Sequence, residues 1–143
     1  MGAWMDYFSA VDDETAAEQL DVGEVPGAVC GNGIDPAVMI AHLESLLTGR
    51  GYEEVRAQSR QCALVAQEGD CAVIVTTLTE GVRDALAGAE PWELRSAAVA
   101  WGRTEGFDGD EAEDELTALV ESFAELARLA RASGQRLYCR VSM

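Results

Sequence analysis

The feature that most limits the fold lies near the end of the chain. From about residue 110 to residue 132, Leu116, Leu119, Val120, Phe123, Leu126 and Ala130 recur at three- and four-residue spacing, which places them on one face of a long helix. Acidic residues fill its first turns, and Arg128 and Arg131 stand in its last, as the helix dipole favours. Gly134 then stops the helix, and residues 137–141, Leu-Tyr-Cys-Arg-Val, read as a strand. A helix of about six turns with one apolar face must lie on another surface. A strand directly behind it needs neighbouring strands. Together they require a sheet with a helical layer packed on it.

The rest of the chain supplies both. Residues 4–10 are apolar and aromatic enough for a first strand, after which Asp12 caps a short helix running to about residue 20. Residues 21–32, with Gly23, Pro26, Gly27 and Gly31, read as a loop. Asp35 then caps a helix with Pro36 in its first position; Met39, Ile40, Leu43, Leu46 and Leu47 form its buried stripe, and Gly49 and Gly51 its exit. A short turn follows over residues 52–57. Residues 62–66 and 71–76 flank Glu68-Gly69-Asp70 as an antiparallel hairpin, and the Val-rich second strand reads as central. Thr77 and Glu80 are spaced as a capping box, with Thr79 the other candidate cap, for a helix over residues 80–87 that stops near Gly88. Glu90-Pro91 starts another, reaching about Trp101. Separate runs of strands and helices predict an α+β fold: a small, mostly antiparallel sheet of about four strands packed against about five helices, with all 143 residues in one domain.

Charge bears on partners. The chain holds 26 Asp and Glu against 10 basic residues, all of them Arg, for a formal charge of −16. Such a surface repels nucleic-acid phosphate and anionic lipid and attracts basic surfaces, so neither nucleic acid nor membrane is expected as a partner. The start of the chain lacks a basic segment followed by an apolar run, and no stretch of about 18 apolar residues occurs, which reads as a soluble, cytoplasmic protein.

No residue pattern calls for a metal or cofactor. Cys30, Cys62, Cys71 and Cys139 contain no C-x-x-C pair, and the single histidine, His42, stands apart from all four. They read as reduced thiols, three of them in apolar runs and hence buried; only Cys139, beside Arg140, has a cationic neighbour in sequence. The acidic stretch Asp108–Glu115 fails as an EF-hand loop, because Glu113 stands where glycine is required and Leu119 where the bidentate Glu belongs. Gly31-Asn32-Gly33 lacks the Lys-Ser/Thr of a phosphate-binding loop and is explained as a turn.

Four segments spread along the chain carry a family likeness: Met1-Gly2 through Tyr7-Phe8 to Asp12; Ile34-Asp35 with Leu46-Leu47-Thr48-Gly49; Leu78-Thr79-Glu80-Gly81-Val82; and the last helix with the strand after it. In these the chain resembles the YfbM-like family, small bacterial proteins of unknown function. The resemblance implies a shared fold. Where the family carries Trp and His in the helix before Leu-Leu-Thr-Gly, this chain has Ile40 and Glu44.

Two functional readings follow. In the first, the protein is a non-catalytic interaction protein, inhibitor- or immunity-like, whose acidic face covers a basic protein. Trp92, beside Pro91 and between Glu90 and Glu93, is the expected exposed anchor. In the second, it binds or transforms a small molecule in a pocket between sheet and helices, lined by residues such as Tyr7, His42, Trp101 and Tyr138. As a general base His42 would need an orienting carboxylate and a nucleophile, and the sequence assigns neither. Monomer and homodimer both fit, the latter through an open sheet edge or an apolar contact.

Overall fold

The computed structural model describes residues 3–70, 72–109 and 112–143. Five strands, β1 (Trp4–Ala10), β2 (Val29–Cys30), β3 (Leu64–Glu68), β4 (Val73–Thr77) and β5 (Arg136–Ser142), form one sheet in the order β2-β1-β5-β4-β3 with every neighbour antiparallel. Six helices accompany it: α1 (Asp13–Ala17), α2 (Val38–Thr48), α3 (Tyr52–Arg56), α4 (Glu80–Gly88), α5 (Pro91–Trp101) and α6 (Glu113–Ala132). The fold is α+β with a long helix leading into the terminal strand, as predicted, though with five strands rather than four.

The terminal strand is the centre of the molecule. β5 pairs with β1 from Trp4↔Ser142 to Ala10↔Arg136, and its other edge pairs with β4. Residue alternation then sorts side chains onto two faces. Tyr7, Leu137, Cys139 and Val141 meet α2, α4 and α6 in the larger core. Phe8, Ala10, Val75 and Tyr138 face the other way and are covered by Ala16 of α1 and Val25 of the following loop. α5 lies outermost, on α2 and α6. It is anchored by fully buried Trp101, whose indole Nε1 donates to the Met39 carbonyl at 2.8 Å.

Local chemistry sets most helix ends. Asp12 Oδ1 accepts from Thr15 N at 2.8 Å, and a 3₁₀ turn over Glu18–Leu20 extends α1. Asp35 accepts from both Ala37 N and Val38 N, so α2 starts at Val38 and Pro36 sits in the turn before it. Thr79, not Thr77, caps α4, accepting from Val82 N at 3.0 Å. At α5 Glu90 and Glu93 form a reciprocal capping box with Pro91 at the first position.

Several expectations are corrected. The segment read as a continuous loop over residues 21–32 contains β2, held by Gly31 N donating to Met5 O at 2.9 Å. Gly31 is required there, since a Cβ would stand 2.7 Å from the Tyr7 ring. The hairpin strands begin two residues later than predicted. Cys62 adopts a left-handed φ of 55°, and Thr77 Oγ1, bonded to the Arg60 carbonyl and to Ala63 N, closes the turn before β3. Leu46 is 41% exposed instead of joining the buried stripe of α2. Of the cysteines, Cys139 is buried, Cys62 is half-buried and Cys30, on the edge strand, is exposed. Cys71, the Met1-Gly2 start and the expected helix start at Asp110-Glu111 lie outside the described residues.

Candidate functional site

α5 carries the most conspicuous surface. Its buried positions are Leu94, Ala97, Ala98 and Trp101, a helical i, i+3, i+4, i+7 set. Trp92 stands two residues before Leu94, some 200° around the axis, and so must face outward. It is 70% exposed.

Trp92 separates two clefts. One, of about 440 Å³, runs between α5, α4 and the end of α2; Leu46, Leu47, Ala85 and Ala97 line it beside Ser96, Asp84 and Glu93, and it presents more polar than apolar surface. The other, of about 480 Å³, adjoins it on the outer face of α5, sharing Trp92, Ser96 and Ala100 and adding Arg95, Val99 and Arg103. Asp84 is held by Arg83 Nε at 2.9 Å, and Glu93 Oε1 accepts from Glu90 N at 2.9 Å. Both carboxylates therefore have defined positions at the cleft wall.

The remaining aromatic candidates are not brought together. Tyr7 and Trp101 are buried in the helix-side core, whereas Tyr138 is on the opposite face of the sheet. The Tyr7 hydroxyl donates to Ile34 O at 2.5 Å, and burial raises its pKa well above the ordinary phenol value. Tyr138 donates to Asp13 Oδ1 at 2.7 Å, and Arg60 pairs with both oxygens of that carboxylate. Arg60 and then Tyr138 hold the Asp13 pKa down to about 2, while burial, with Asp13 next, pushes Tyr138 up to about 12. The space between sheet and helices is about 10 Å³, lined by Tyr7, Ile40, Leu78, Val82, Phe123 and Leu137 among others. That is room for one water at most.

His42 lies on the outer side of α2. Its ring stacks on Tyr52 with centroids 4.1 Å apart, and Nε2 is 3.2 Å from Glu105 Oε1. Glu105 supplies an orienting carboxylate, but it is solvent-exposed and neither residue lines a described cleft. Cys139 has no catalytic setting either. Burial drives its thiol pKa far up, because Arg140, next in sequence, points to the other face of the strand. There Arg140 is 6% exposed, donates to the carbonyls of Gln19 and Val22 at 3.0 and 2.6 Å, and reaches Asp6 Oδ2 at 3.4 Å. It staples the 19–23 segment to the sheet.

Glu44, noted in the sequence only as a departure from the YfbM-like pattern, has a setting the sequence did not reveal. Glu44 is 1% exposed; its Oε1 accepts from Thr79 Oγ1 at 2.5 Å and its Oε2 from Gln58 Nε2 at 3.0 Å. Gly81 leaves room for it, since a Cβ there would stand 2.8 Å from Oε2. This carboxylate joins α2, the exit of α3 and the start of α4 inside the protein. Ile40, the other position at which the chain departs from the YfbM-like pattern, is also buried. Besides that departure, the signal for Glu44 was an acid standing within an apolar stripe.

No group of three or more His, Cys, Asp or Glu among the described residues is arranged to hold a metal ion, and no helix among them is long and apolar enough to cross a membrane. Compared with family models, curated proteins and solved structures, the chain gives no match.

Proposed function

We propose that this chain is a non-catalytic interaction protein, of the inhibitor or immunity kind, that takes a basic segment of another protein into the cleft between α2, α4 and α5. The observation that carries this reading is Trp92: an indole 70% exposed on the rim of a cleft whose charged lining residues, Asp84 and Glu93, are both carboxylates. Exposed tryptophans are the commonest interface anchors, and flanking charges of one sign select partners of the other. The net charge of −16 adds long-range attraction for such a partner and opposes nucleic acid and anionic membranes. This reading takes the protein to work in the cytoplasm, where Cys30, Cys62 and Cys139 stay as free thiols. The absence of usable space between sheet and helices weighs against a small-molecule pocket there.

The test is affinity capture from lysate of the source cell at low and moderate salt, with the native protein and with Trp92→Ala and Asp84→Arg variants. Glu93 is unsuitable as a probe because its carboxylate closes the α5 capping box. The expected result is a basic protein retained at low salt, less at moderate salt, and lost with both variants. Capture indifferent to both substitutions, or of a protein without a basic surface, overturns the reading.

A further inference from the structure

The second cleft beside Trp92 is singular in its charge. In a chain with 26 acidic residues, none of the six residues lining it is a carboxylate: Trp92, Arg95, Ser96, Val99, Ala100 and Arg103. Two molecules each carrying −16 repel one another over most approaches. The residues lining this cleft add no carboxylate of their own, and Asp114 at its edge is paired with Arg95 at 3.4 Å.

The stripe is also complementary to itself. Trp92 and Arg103 are eleven residues apart, about three helical turns, and so lie on the same line along the helix, roughly 16 Å apart. Gly102, at φ −61° and ψ −12°, carries the helical path past Trp101, and Arg103 N bonds to Ala100 O at 3.1 Å. Ser96 and Val99 stand midway between the two. Arg95 turns aside to Asp114 at 3.4 Å, whereas the exposed Arg103 side chain has no hydrogen bond or ion pair among the described residues. A two-fold axis passing between Ser96 and Val99 lays α5 antiparallel on its copy. It sets Ser96 against Val99 of the second molecule and places each Trp92 indole over the other molecule's Arg103 guanidinium.

We propose that α5 is a homodimerisation surface, closed by a second copy of this chain through two reciprocal Trp92–Arg103 cation–π contacts around a small-residue centre. In a closed two-fold interface each contact occurs twice, so one helix supplies both halves of both pairs. The contact goes beyond the capture of a basic partner, but it shares Trp92 with that cleft, so the two are mutually exclusive on one protomer.

The test is sedimentation equilibrium from about 1 to about 500 µM, a range suited to a small interface. It compares the native chain with Trp92→Ala, Arg103→Ala, the double variant and Asp84→Arg. Far-UV circular dichroism verifies that the exposed substitutions leave the fold intact. The native chain is expected to dimerise, each single alanine variant to weaken dimerisation roughly tenfold or more, and the double variant to lose little beyond either single. Asp84→Arg, outside this cleft, should leave dimerisation unweakened while abolishing capture of a basic partner, which keeps the two readings separable. A native chain monomeric throughout overturns the inference, as does a dimer indifferent to Trp92 and Arg103, or additive losses in the double variant.

Discussion

Glu44→Gln probes the buried hydrogen-bond arrangement with almost no change of volume. In the native protein both carboxylate oxygens accept: one from the Thr79 hydroxyl at 2.5 Å, the other from Gln58 Nε2 at 3.0 Å. A glutamine amide has one oxygen and one NH₂, and neither orientation suits the site. Turned one way, the NH₂ faces the Gln58 donor. Turned the other way it faces Thr79 Oγ1, which already accepts from Val82 N at 3.0 Å, and the hydroxyl proton is left without its acceptor. Either arrangement replaces two bonds to the carboxyl oxygens with one neutral bond and leaves one buried donor unsatisfied, which costs about 1–3 kcal/mol. For a domain of this size each kcal/mol moves Tm by about 3 °C, so a fall of about 3–9 °C is expected. The opposing effect is relief from burying a carboxylate with no cation bonded to it. The double hydrogen bonding at short range outweighs it. Urea denaturation followed by tryptophan fluorescence measures the difference, and a Gln variant as stable as the native protein, or more so, refutes the reasoning. Gly81→Ala supplies an independent check. Its Cβ meets Glu44 Oε2 at 2.8 Å, so it should destabilise the native chain yet be neutral or stabilising beside Glu44→Ala. The coupling expected is about 1–2 kcal/mol; additivity would place the carboxylate elsewhere.

Two further outcomes are expected. Arg60 and Tyr138 lower the Asp13 pKa to about 2, so its contribution to stability is fully present above the ordinary carboxylate value near 4 and is lost as pH falls from there towards 2. Stability measured by urea between about pH 2 and pH 6 should fall less steeply on acidification in Asp13→Asn; an unchanged slope would remove the Arg60–Asp13–Tyr138 cluster from the explanation. Among the three described thiols, Cys30 should react with a disulfide reagent in the folded protein, whereas Cys139, buried and with its pKa raised, should react only on unfolding. Prompt labelling of Cys139 in native buffer, read by peptide mass mapping, contradicts the packing of β5 against α6.

What the sequence made legible were features written locally. β1 was read to the residue, because an apolar-aromatic run ends directly at the Asp12 cap. The exposure of Trp92 was legible because Glu90-Pro91 and Glu93 fix where α5 starts, and hence its phase relative to Leu94. What stayed hidden depends on partners far along the chain. β2 is two residues long and exists through its pairing of Cys30 with Asp6, which no local pattern encodes. Thr77 shifts the hairpin by bonding a carbonyl seventeen residues away. Tyr7 and Tyr138 both looked like pocket residues because composition says nothing of register. Phe8, not Tyr7, is opposite Tyr138, and that single offset puts the two tyrosines on opposite faces. Glu44 was hidden for the same reason, its donors being 14 and 35 residues distant. Leu46 lines the same cleft as the small residues Ala85, Gly88 and Ala89, which do not cover it.

Much of the acidic charge is employed locally, which narrows where a partner can be recognised. Asp13 and Glu14 in α1, Glu53 and Glu54 in α3, Glu80 in α4, Glu93 in α5, and Glu113, Asp114 and Glu115 in α6 all lie in first turns, where a negative charge offsets the helix dipole. Such residues raise the net charge without marking a surface. Asp84 differs: it stands past the first turn of α4, beside a cleft with an exposed indole at its mouth. The two flanks of Trp92 then respond oppositely to salt. On the proposed reading, attraction of a basic segment to Asp84 is screened as ionic strength rises, so capture is expected to weaken. The repulsion between two copies of charge −16 is screened by the same ions, whereas a cation–π contact with apolar packing depends far less on them, so self-association through α5 strengthens. On the two proposals together, low salt is therefore expected to favour a basic partner and high salt a second copy, in competition for the one indole.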